Sequence, residues 1–288
     1  MTRPTAIERS AEQDDSLSRT ASSKRRRGAR VAAALIPSAV LLVLLMLWQA
    51  AVVVFHVPGY LLPAPTTVVT TLLDDRGELL SQSIPTLIET LGGFALSVPV
   101  GLGLAVLIVA SRPIEKAIYP LLVTSQVVPK VAIAPLFLVW FGLGLLPKIL
   151  ITFLIAFFPI VIESAVGLRS VPVEMLDLAR SMGSSRSQVF WRFRFPYALP
   201  SIFGGLKVGI TLSVIGSIVG EFVGADRGLG YLLTVASGQL DTALVFAAIF
   251  VLVVMGVVLY GVIDFAERAV VKWHPSVREQ HVSATGAA

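Results

Sequence analysis

The chain has 288 residues, of which 55% are hydrophobic and 14% charged, and its mean hydropathy is +0.83. Since a soluble domain carries about 25% charged residues, this composition excludes an ordinary soluble protein and predicts an integral membrane protein. The sequence has no cysteine, which excludes disulfides and thiolate chemistry, and its three histidines lie too far apart to predict a metal site or a cofactor site.

The chain begins with a polar tail, residues 1–30, which ends in the basic run Lys24 to Arg27 followed by Arg30. This pattern predicts a disordered cytoplasmic tail whose basic residues anchor the topology or hold anionic membrane lipid. Residues 31–55 follow as a long apolar stretch, whereas the apolar core of a signal peptide has only about 7–15 residues. We therefore predict a first membrane span there and no cleaved signal.

Five further apolar stretches have roughly the 20 residues that a transmembrane helix needs. They are residues 84–110, 117–142, 148–168, 201–224 and 242–264, and a charged cytoplasmic tail, residues 265–288, follows them. Between the first two spans, leucines at residues 72–80 predict a short amphipathic helix on the outer face. The predicted fold is an all-α membrane protein whose transmembrane domain, residues 31–264, has six helices. Repeated glycines in the second and fifth spans predict close helix packing.

The distribution of lysine and arginine predicts the orientation of these spans. With the N-terminus inside the cell, 18 of the 23 basic residues fall on the cytoplasmic side, and Arg76, Lys148 and Arg227 fall outside. This positive-inside bias predicts an N-in, C-in topology. It also accounts for the net charge of +5 without a nucleic-acid partner.

A polar, basic segment interrupts the apolar sequence at residues 171–200. Pro172 suits the first turn of a short helix, and Gly183 suits the left-handed position that ends it. Ser184 or Ser185 can cap a second short helix, and Pro196 and Pro200 close the segment. A simple connecting loop needs none of these features, so the pattern indicates a surface that docks onto a partner.

This segment resembles the cytoplasmic loop of permease subunits in binding-protein-dependent ABC importers. The family pattern is Glu-Ala-Ala, three residues, Gly, nine residues, then Ile-x-Leu-Pro. The chain has Asp177-Leu178-Ala179, then Gly183, then residues 193–196 as Phe-Arg-Phe-Pro. Asp for Glu, Leu for Ala and the two phenylalanines depart from the pattern but keep its charge sign and apolar character. The Trp-Phe-Gly-Leu-Gly, Gly-Glu-Phe and Gly-Leu-Gly-Tyr sequences, starting at residues 140, 220 and 228, resemble the branch that imports sulfonates, taurine, nitrate, and thiamine or riboflavin precursors.

The resemblance implies that residues 169–200, between the fourth and fifth spans, form a coupling helix loop that seats in a groove of an ATPase subunit. The implied coupling residues are Glu174, Asp177, Leu178, Ala179, Gly183, Phe193, Phe195 and Pro196. It also implies a homodimer in the bacterial plasma (inner) membrane, two ATPase copies and an extracytoplasmic binding protein. The chain itself contains no Gly-x-x-x-x-Gly-Lys phosphate loop, so ATP hydrolysis is expected in the partner and not in this subunit.

Charges inside the predicted spans are candidates for the translocation pathway. Lys130 lies near the middle of the third predicted span, between Pro129 and Pro135, and prolines break helices at transport sites. One interpretation has Lys130 facing the pathway or the subunit interface and attracting an anionic solute. The other has the helix start after Pro129, with Lys130 at the cytoplasmic interface. Glu163 and Glu221 are further candidates, although both lie near predicted span ends, where solvation favours a structural role.

Several alternatives remain at this stage. The basic segment also fits an ordinary cytoplasmic linker or a helix-turn-helix, although its position between two spans argues against DNA binding. The whole chain also fits a self-contained secondary transporter or channel, which leaves the docking segment unexplained. A membrane-embedded enzyme is a further alternative, but the spans offer few of the convergent His, Asp, Glu or Ser residues that it needs at mid-depth. For the implied importer, we expect a small polar or anionic solute. Residues 128–144 and 237–248 resemble thiamine-pyrimidine or riboflavin permeases more than sulfonate permeases.

Overall fold

The structure, a computed structural model, describes Ile36 and residues 38–271. The predicted basic tail, residues 1–30, and residues 272–288 of the C-terminal tail lie outside the described residues. The chain divides into two compact units, Met1–Val57 with Arg278–Ala288, and Pro58–Val277. The described part of the first unit is an apolar helix, α1, at Ser38–Val54. The start of the predicted first span, residues 31–55, therefore lies outside the described part.

The second unit is helical, with no strand among its described residues. Proline, which fixes the backbone angle of the first helical turn, begins α2 and lies in the first turns of α4 and α9. The helices are α2 (Pro65–Asp74), α3 (Arg76–Ala110), α4 (Arg112–Val127), α5 (Lys130–Phe141), α6 (Leu145–Arg169), α7 (Val173–Ser181), α8 (Arg186–Val189), a π-helical turn (Phe190–Arg194), α9 (Phe195–Gly224), α10 (Leu229–Gly238) and α11 (Thr242–Val270).

Four helices in the described part are long and apolar enough to cross a membrane: α3, α6, the continuous helix that ends in α9, and α11. The pair α4 and α5 adds a fifth crossing if it counts as one span. Two differences from the sequence-based boundaries are clear. Leu79 and Leu80 belong to the start of α3 and not to a separate amphipathic helix. The charged residues after position 264 continue α11 as far as Val270.

Helix α6 lies at the centre of the second unit and packs most extensively against α9 and α3. Glycines permit this close approach. A Cβ atom at Gly93 of α3 would lie 2.3 Å from the Thr152 side chain, and one at Gly216 of α9 would lie 2.7 Å from the Thr152 Cα atom. Both distances are far below van der Waals contact, so the predicted packing role of these glycines is confirmed. Gly103 and Gly204, by contrast, face open space.

The apolar core of the second unit is divided into several clusters. The largest surrounds α10, where Leu229, Leu232 and Leu233 pack with residues of α2, α9 and α11. A second cluster joins α3, α6 and the start of α9 through Ala105, Leu168 and other buried residues. Helix α10 is therefore buried between the long helices at one end of the unit, and the segment between α6 and α9 is attached at the other end.

Candidate functional site: a docking segment and a broken helix

The docking segment, which we define as residues 171–200, starts with the helix predicted from the sequence. Pro172 precedes α7, and Glu174 lies in its first turn, where a carboxylate complements the helix dipole. The helix ends at Gly183, whose φ angle of +74° is left-handed. The Gly183 amide donates to the Arg180 carbonyl at 2.9 Å, and the Ser184 amide donates to the Ala179 carbonyl at 3.1 Å. These bonds satisfy the last carbonyls of α7, so the predicted helix end is confirmed.

A capping box then starts the second short helix. Ser185 accepts a hydrogen bond from the Gln188 amide at 3.3 Å, and the Gln188 side chain accepts one from the Ser185 amide at 2.8 Å. Of the two serines predicted as caps, Ser185 therefore caps α8. The two helices and the fixed turn between them give the docking segment a defined shape.

The docking segment exposes apolar side chains. Leu178 is 61% exposed and Met182, one helical turn later, is 77% exposed. Ala179 instead is buried, so the apolar side chains of α7 divide into an inward and an outward set. Asp177 forms an ion pair with Arg180 within α7, at 3.0 Å. The outward part is an apolar surface bordered by charges, which is typical of a protein interface.

The second half of the docking segment is continuous with a membrane helix. The chain from Arg186 to Gly224 forms one helical stretch of 39 residues, with the π-helical turn Phe190–Arg194 inside it. Phe190 and Phe195 pack against the buried cluster formed by α3, α6 and α9. Phe193 is half-buried, and Pro196 lies in the first turn of α9, where a proline is tolerated. The docking segment is therefore rigidly connected to α9.

The stretch predicted as the third span is two helices, because the chain bends by 96° between α4 and α5. The break lies at Val128 and Pro129, and Lys130 starts α5. Pro129 lacks the amide needed to continue the helix, which gives the physical reason for the break. The predicted third span is thus bent and not one continuous helix, and α5 starts after Pro129, as the second interpretation has it. The placement of Lys130 at the cytoplasmic interface, which belongs to the same interpretation, stays a prediction. Pro135 lies inside α5 without ending it.

The position of the Lys130 side chain relates this break to the rest of the unit. Its Nζ atom lies 4.7 Å from the ring centre of Phe158 in α6. Phe158 is about 20 Å from the Leu145 end of α6 and about 17 Å from its Arg169 end, at 1.5 Å per residue. The ammonium group therefore lies level with the middle of a membrane-crossing helix, and among the described residues it has no carboxylate partner.

The other charges of the predicted spans have different surroundings. Glu163 of α6 is exposed and forms no ion pair with any described residue. Lys207 of α9 pairs with Asp264 at 2.5 Å and also with Glu267, both on α11, which indicates a structural role. Glu221 is only 2% exposed, so the expected solvation of its carboxylate at a membrane interface is wrong.

Glu221 belongs to a buried group that the sequence analysis missed, which we call the three-charge cluster: Glu89 of α3, Lys148 of α6 and Glu221 of α9. Lys148 Nζ lies 2.6 Å from Glu89 Oε1, and both side chains are at most 6% exposed. The Thr86 hydroxyl donates to Glu221 Oε1 at 2.6 Å, and the Gly230 amide donates to Glu221 Oε2 at 2.5 Å. A lone glutamate within the apolar stretch 84–110 was the available sequence signal for this cluster.

Glu221 and two polar side chains of α3 fix the start of α10. The amides of the first residues of a helix lack partners within it and need acceptors from elsewhere. Here the Gly228 amide donates to the Gln82 side chain, and the Leu229 amide donates to the Thr86 hydroxyl, both at 2.8 Å. With the Gly230 amide on Glu221, three successive amides at the start of α10 are bound by side chains of α3 and α9.

These features define a class, that of multi-pass α-helical membrane proteins with a docking segment between two long helices. The chain belongs to the family of binding-protein-dependent transport system inner membrane components, whose sequence model matches residues 97–272. It is accordingly a multi-pass protein of the bacterial plasma membrane, as predicted from the sequence.

Relatives with known names support this assignment. The chain is 37% identical over 215 residues to the formylaminopyrimidine transport permease protein ThiX of Halalkalibacterium halodurans, covering 74% of this chain and 86% of that protein. It is 39% identical to the riboflavin transport system permease protein RibX of Chloroflexus aurantiacus, and that alignment covers 76% of this chain and 82% of RibX. It is 30% identical to the taurine transport system permease protein TauC of Escherichia coli, and that alignment covers 75% of this chain and 82% of TauC. The predicted branch of the family is therefore confirmed.

A solved structure shares the fold. A chain of the MetNI methionine ABC transporter, in an inward-facing conformation, aligns with a TM-score of 0.58 and 22% sequence identity. The alignment covers 67% of this chain and 96% of that chain. This likeness shows the all-helical permease fold, and the sequence identity is too low for it to carry more.

Proposed function

We propose that the chain is the permease subunit of an ATP-driven importer. In this proposal it has six spans with both termini in the cytoplasm and acts as a homodimer. Two copies of a separate ATPase bind the two docking segments, and an extracytoplasmic binding protein delivers the solute. The family membership and the transport functions for which the relatives are named support an importer, and the positive-inside count of basic residues supports the orientation.

The observation that carries the proposal is the rigid connection between the docking segment and α9. The exposed Leu178 and Met182 provide an apolar contact for the ATPase, and Glu174, Asp177 and Gly183 shape and border it. Phe193, Phe195 and Pro196 join this surface to the membrane helix. When two ATPases close on ATP, a movement of the docking segments is transmitted to α9 without a flexible joint. Such a lever is suited to alternating access.

The broken helix supports a solute site at mid-membrane depth. The start of α5 directs the positive end of a helix dipole to the break, and Lys130 adds a full positive charge at the same place. A full positive charge and the partial positive charge of a helix end, both near the middle of the membrane, favour a small polar or anionic solute. Pro129 maintains the irregular backbone at the break. Pro135, inside α5, and the exposed Glu163 are further candidates for the pathway wall.

For the solute itself, we propose a pyrimidine precursor of thiamine or a riboflavin-like molecule rather than a sulfonate. The permeases named for formylaminopyrimidine and riboflavin are 37% and 39% identical to this chain, whereas the taurine permease is 30% identical. The binding protein that delivers the solute sets part of this selectivity, so identifying that partner tests the substrate directly.

The experiment is a pull-down of the tagged full-length protein in mild detergent, followed by mass spectrometry of the proteins that copurify. We expect an ATPase subunit and a binding protein. Leu178→Glu should abolish recovery of the ATPase, because it places a charge in the apolar contact, whereas Leu178→Met should retain it. If the protein purifies alone and catalyses uptake into liposomes without ATP, the proposal is wrong and a secondary transporter is the better description.

A further inference from the structure

The three-charge cluster has an imbalance of charge that the importer function does not explain. It contains two carboxyl groups and one ammonium group, and each of these side chains is almost completely buried. The charged groups next to Glu89 are Lys148 of α6 and Glu221 of α9, while α10 contributes backbone amides. If all three groups were ionised, one negative charge would remain uncompensated among apolar helices, which is strongly unfavourable.

The hydrogen bonds show which carboxyl group is suited to be ionised. Both oxygens of Glu221 accept hydrogen bonds, Oε1 from the Thr86 hydroxyl and Oε2 from the Gly230 amide. An ionised carboxylate can only accept, and this arrangement uses both of its oxygens in that way. Glu221 therefore suits the ionised form and balances the charge of Lys148.

Glu89 has a different arrangement. Its Oε1 atom accepts from Lys148 Nζ at 2.6 Å, but its buried Oε2 atom has no hydrogen-bond partner among the described residues. Glu221 accepts from Thr86, which precedes Glu89 by three residues on α3, so the two carboxyl groups lie against the same side of that helix. A proton on Glu89 Oε2 gives that atom a partner, because a protonated carboxyl group donates one hydrogen bond.

We propose that Glu89 and Glu221 form a proton-binding site, in which one proton resides on Glu89 Oε2 and is donated in a hydrogen bond to Glu221. With this proton the three-charge cluster is neutral, and all its buried oxygens have partners. Glu221 stays available to bind the Gly230 amide, so the proton helps to hold α10 against α3 and α9. Loss of the proton places two carboxylates side by side at the point where α10 is attached.

Infrared spectroscopy of the purified full-length protein at neutral pH tests this site. We expect the carbonyl-stretching band of a buried protonated carboxylic acid, and we expect Glu89→Gln to remove it. Glu163→Gln, which changes an exposed glutamate on α6, should leave the band in place. Absence of the band from the unchanged protein would overturn the proposal even if no variant folds. A band that is lost in Glu221→Gln but retained in Glu89→Gln would overturn the assignment of the proton to Glu89.

The dependence of the unfolding temperature on pH gives a second test of the proton-binding site. If folding takes up one proton at Glu89, the unfolding temperature of the unchanged protein falls as the pH rises above about 4.3, the ordinary pKa of a glutamate in the unfolded chain. In Glu89→Gln the amide replaces the protonated carboxyl group and no proton is taken up, so this fall is smaller and the unfolding temperature at neutral pH is not lowered. Glu221→Gln removes the negative charge that balances Lys148, so this variant should have a lower unfolding temperature. An equal loss in both variants, with an unaltered infrared spectrum, would mean that Glu89 is ionised and hydrated, contrary to the proposal.

Discussion

Lys130 carries a positive charge at a depth where a charged side chain is energetically costly in a membrane. Its ammonium group is level with the middle of α6 and contacts the Phe158 ring, with no described carboxylate nearby to neutralise it. Charges kept at such depth commonly face a water-filled cavity or a substrate pathway. The break at Pro129 creates this position, because a continuous helix would have no free end there.

Replacing Lys130 tests whether this charge acts on the solute. We expect Lys130→Met to reduce uptake about tenfold or more, since a charge-assisted hydrogen bond contributes roughly 1.5–3 kcal/mol and each 1.4 kcal/mol is about a factor of ten. Uptake into proteoliposomes would be measured together with the amount of protein inserted. Lys130→Arg, which keeps the charge, should retain most of the activity. Unchanged uptake in Lys130→Met would remove Lys130 from the pathway.

The neighbouring glycines 204 and 205 provide a matched test of helix packing. A Cβ atom at Gly205 would lie 2.9 Å from the Glu163 Cβ atom and 3.1 Å from the Pro159 carbonyl oxygen, whereas at Gly204 nothing lies within 4 Å. Overpacking costs roughly 1–3 kcal/mol, so Gly205→Ala should lower the unfolding temperature in detergent and Gly204→Ala should not. Equal effects in the two variants would mean that α6 and α9 separate easily.

At the scale of elements, the docking segment depends on the left-handed turn at Gly183. Proline cannot adopt a φ angle of +74° and cannot donate the bond to the Arg180 carbonyl. We expect Gly183→Pro to cost on the order of 1–3 kcal/mol locally and to uncouple ATP hydrolysis from uptake in the reconstituted importer.

The control for this change is Gly183→Asn, because asparagine tolerates the left-handed conformation better than other residues with side chains. Solute uptake for each ATP hydrolysed would be measured for both variants in proteoliposomes. Wild-type coupling in Gly183→Pro would show that the shape of the turn is unimportant for docking.

The helices differ in how far the sequence predicts them. The ends of α7 and α8 follow from local chemistry, a glycine in a left-handed turn and a serine cap, so sequence alone places them. The break after Val128 was foreseen only as one of two interpretations, because prolines also occur inside intact helices here, as Pro99 and Pro159 do. The three-charge cluster was missed since its members lie 59 residues or more apart in sequence and meet only through tertiary packing.

At the scale of the whole molecule, the proposed topology has a direct test, because the chain contains no cysteine. Single cysteines can therefore be introduced without removing others. We expect Ser184→Cys, in the docking segment, to react with a membrane-impermeant thiol reagent only after the membrane is opened. Asp226→Cys, in the exposed turn between α9 and α10, should react from outside intact cells. The reverse pattern would invert the orientation and place the docking segment away from any cytoplasmic ATPase.

The 39-residue helix from Arg186 to Gly224 has the docking segment at one end and Glu221 near the other. Each α-helical residue turns the chain by about 100°, so an insertion or deletion between these ends would rotate the two functional faces relative to each other. The π-helical turn at Phe190–Arg194 is the exception, since such a turn holds one residue more than the α-turn it replaces. A one-residue insertion or deletion in the α-helical part should therefore turn the two ends away from each other, whereas removal of one residue from the π-turn should leave both ends facing as they do now.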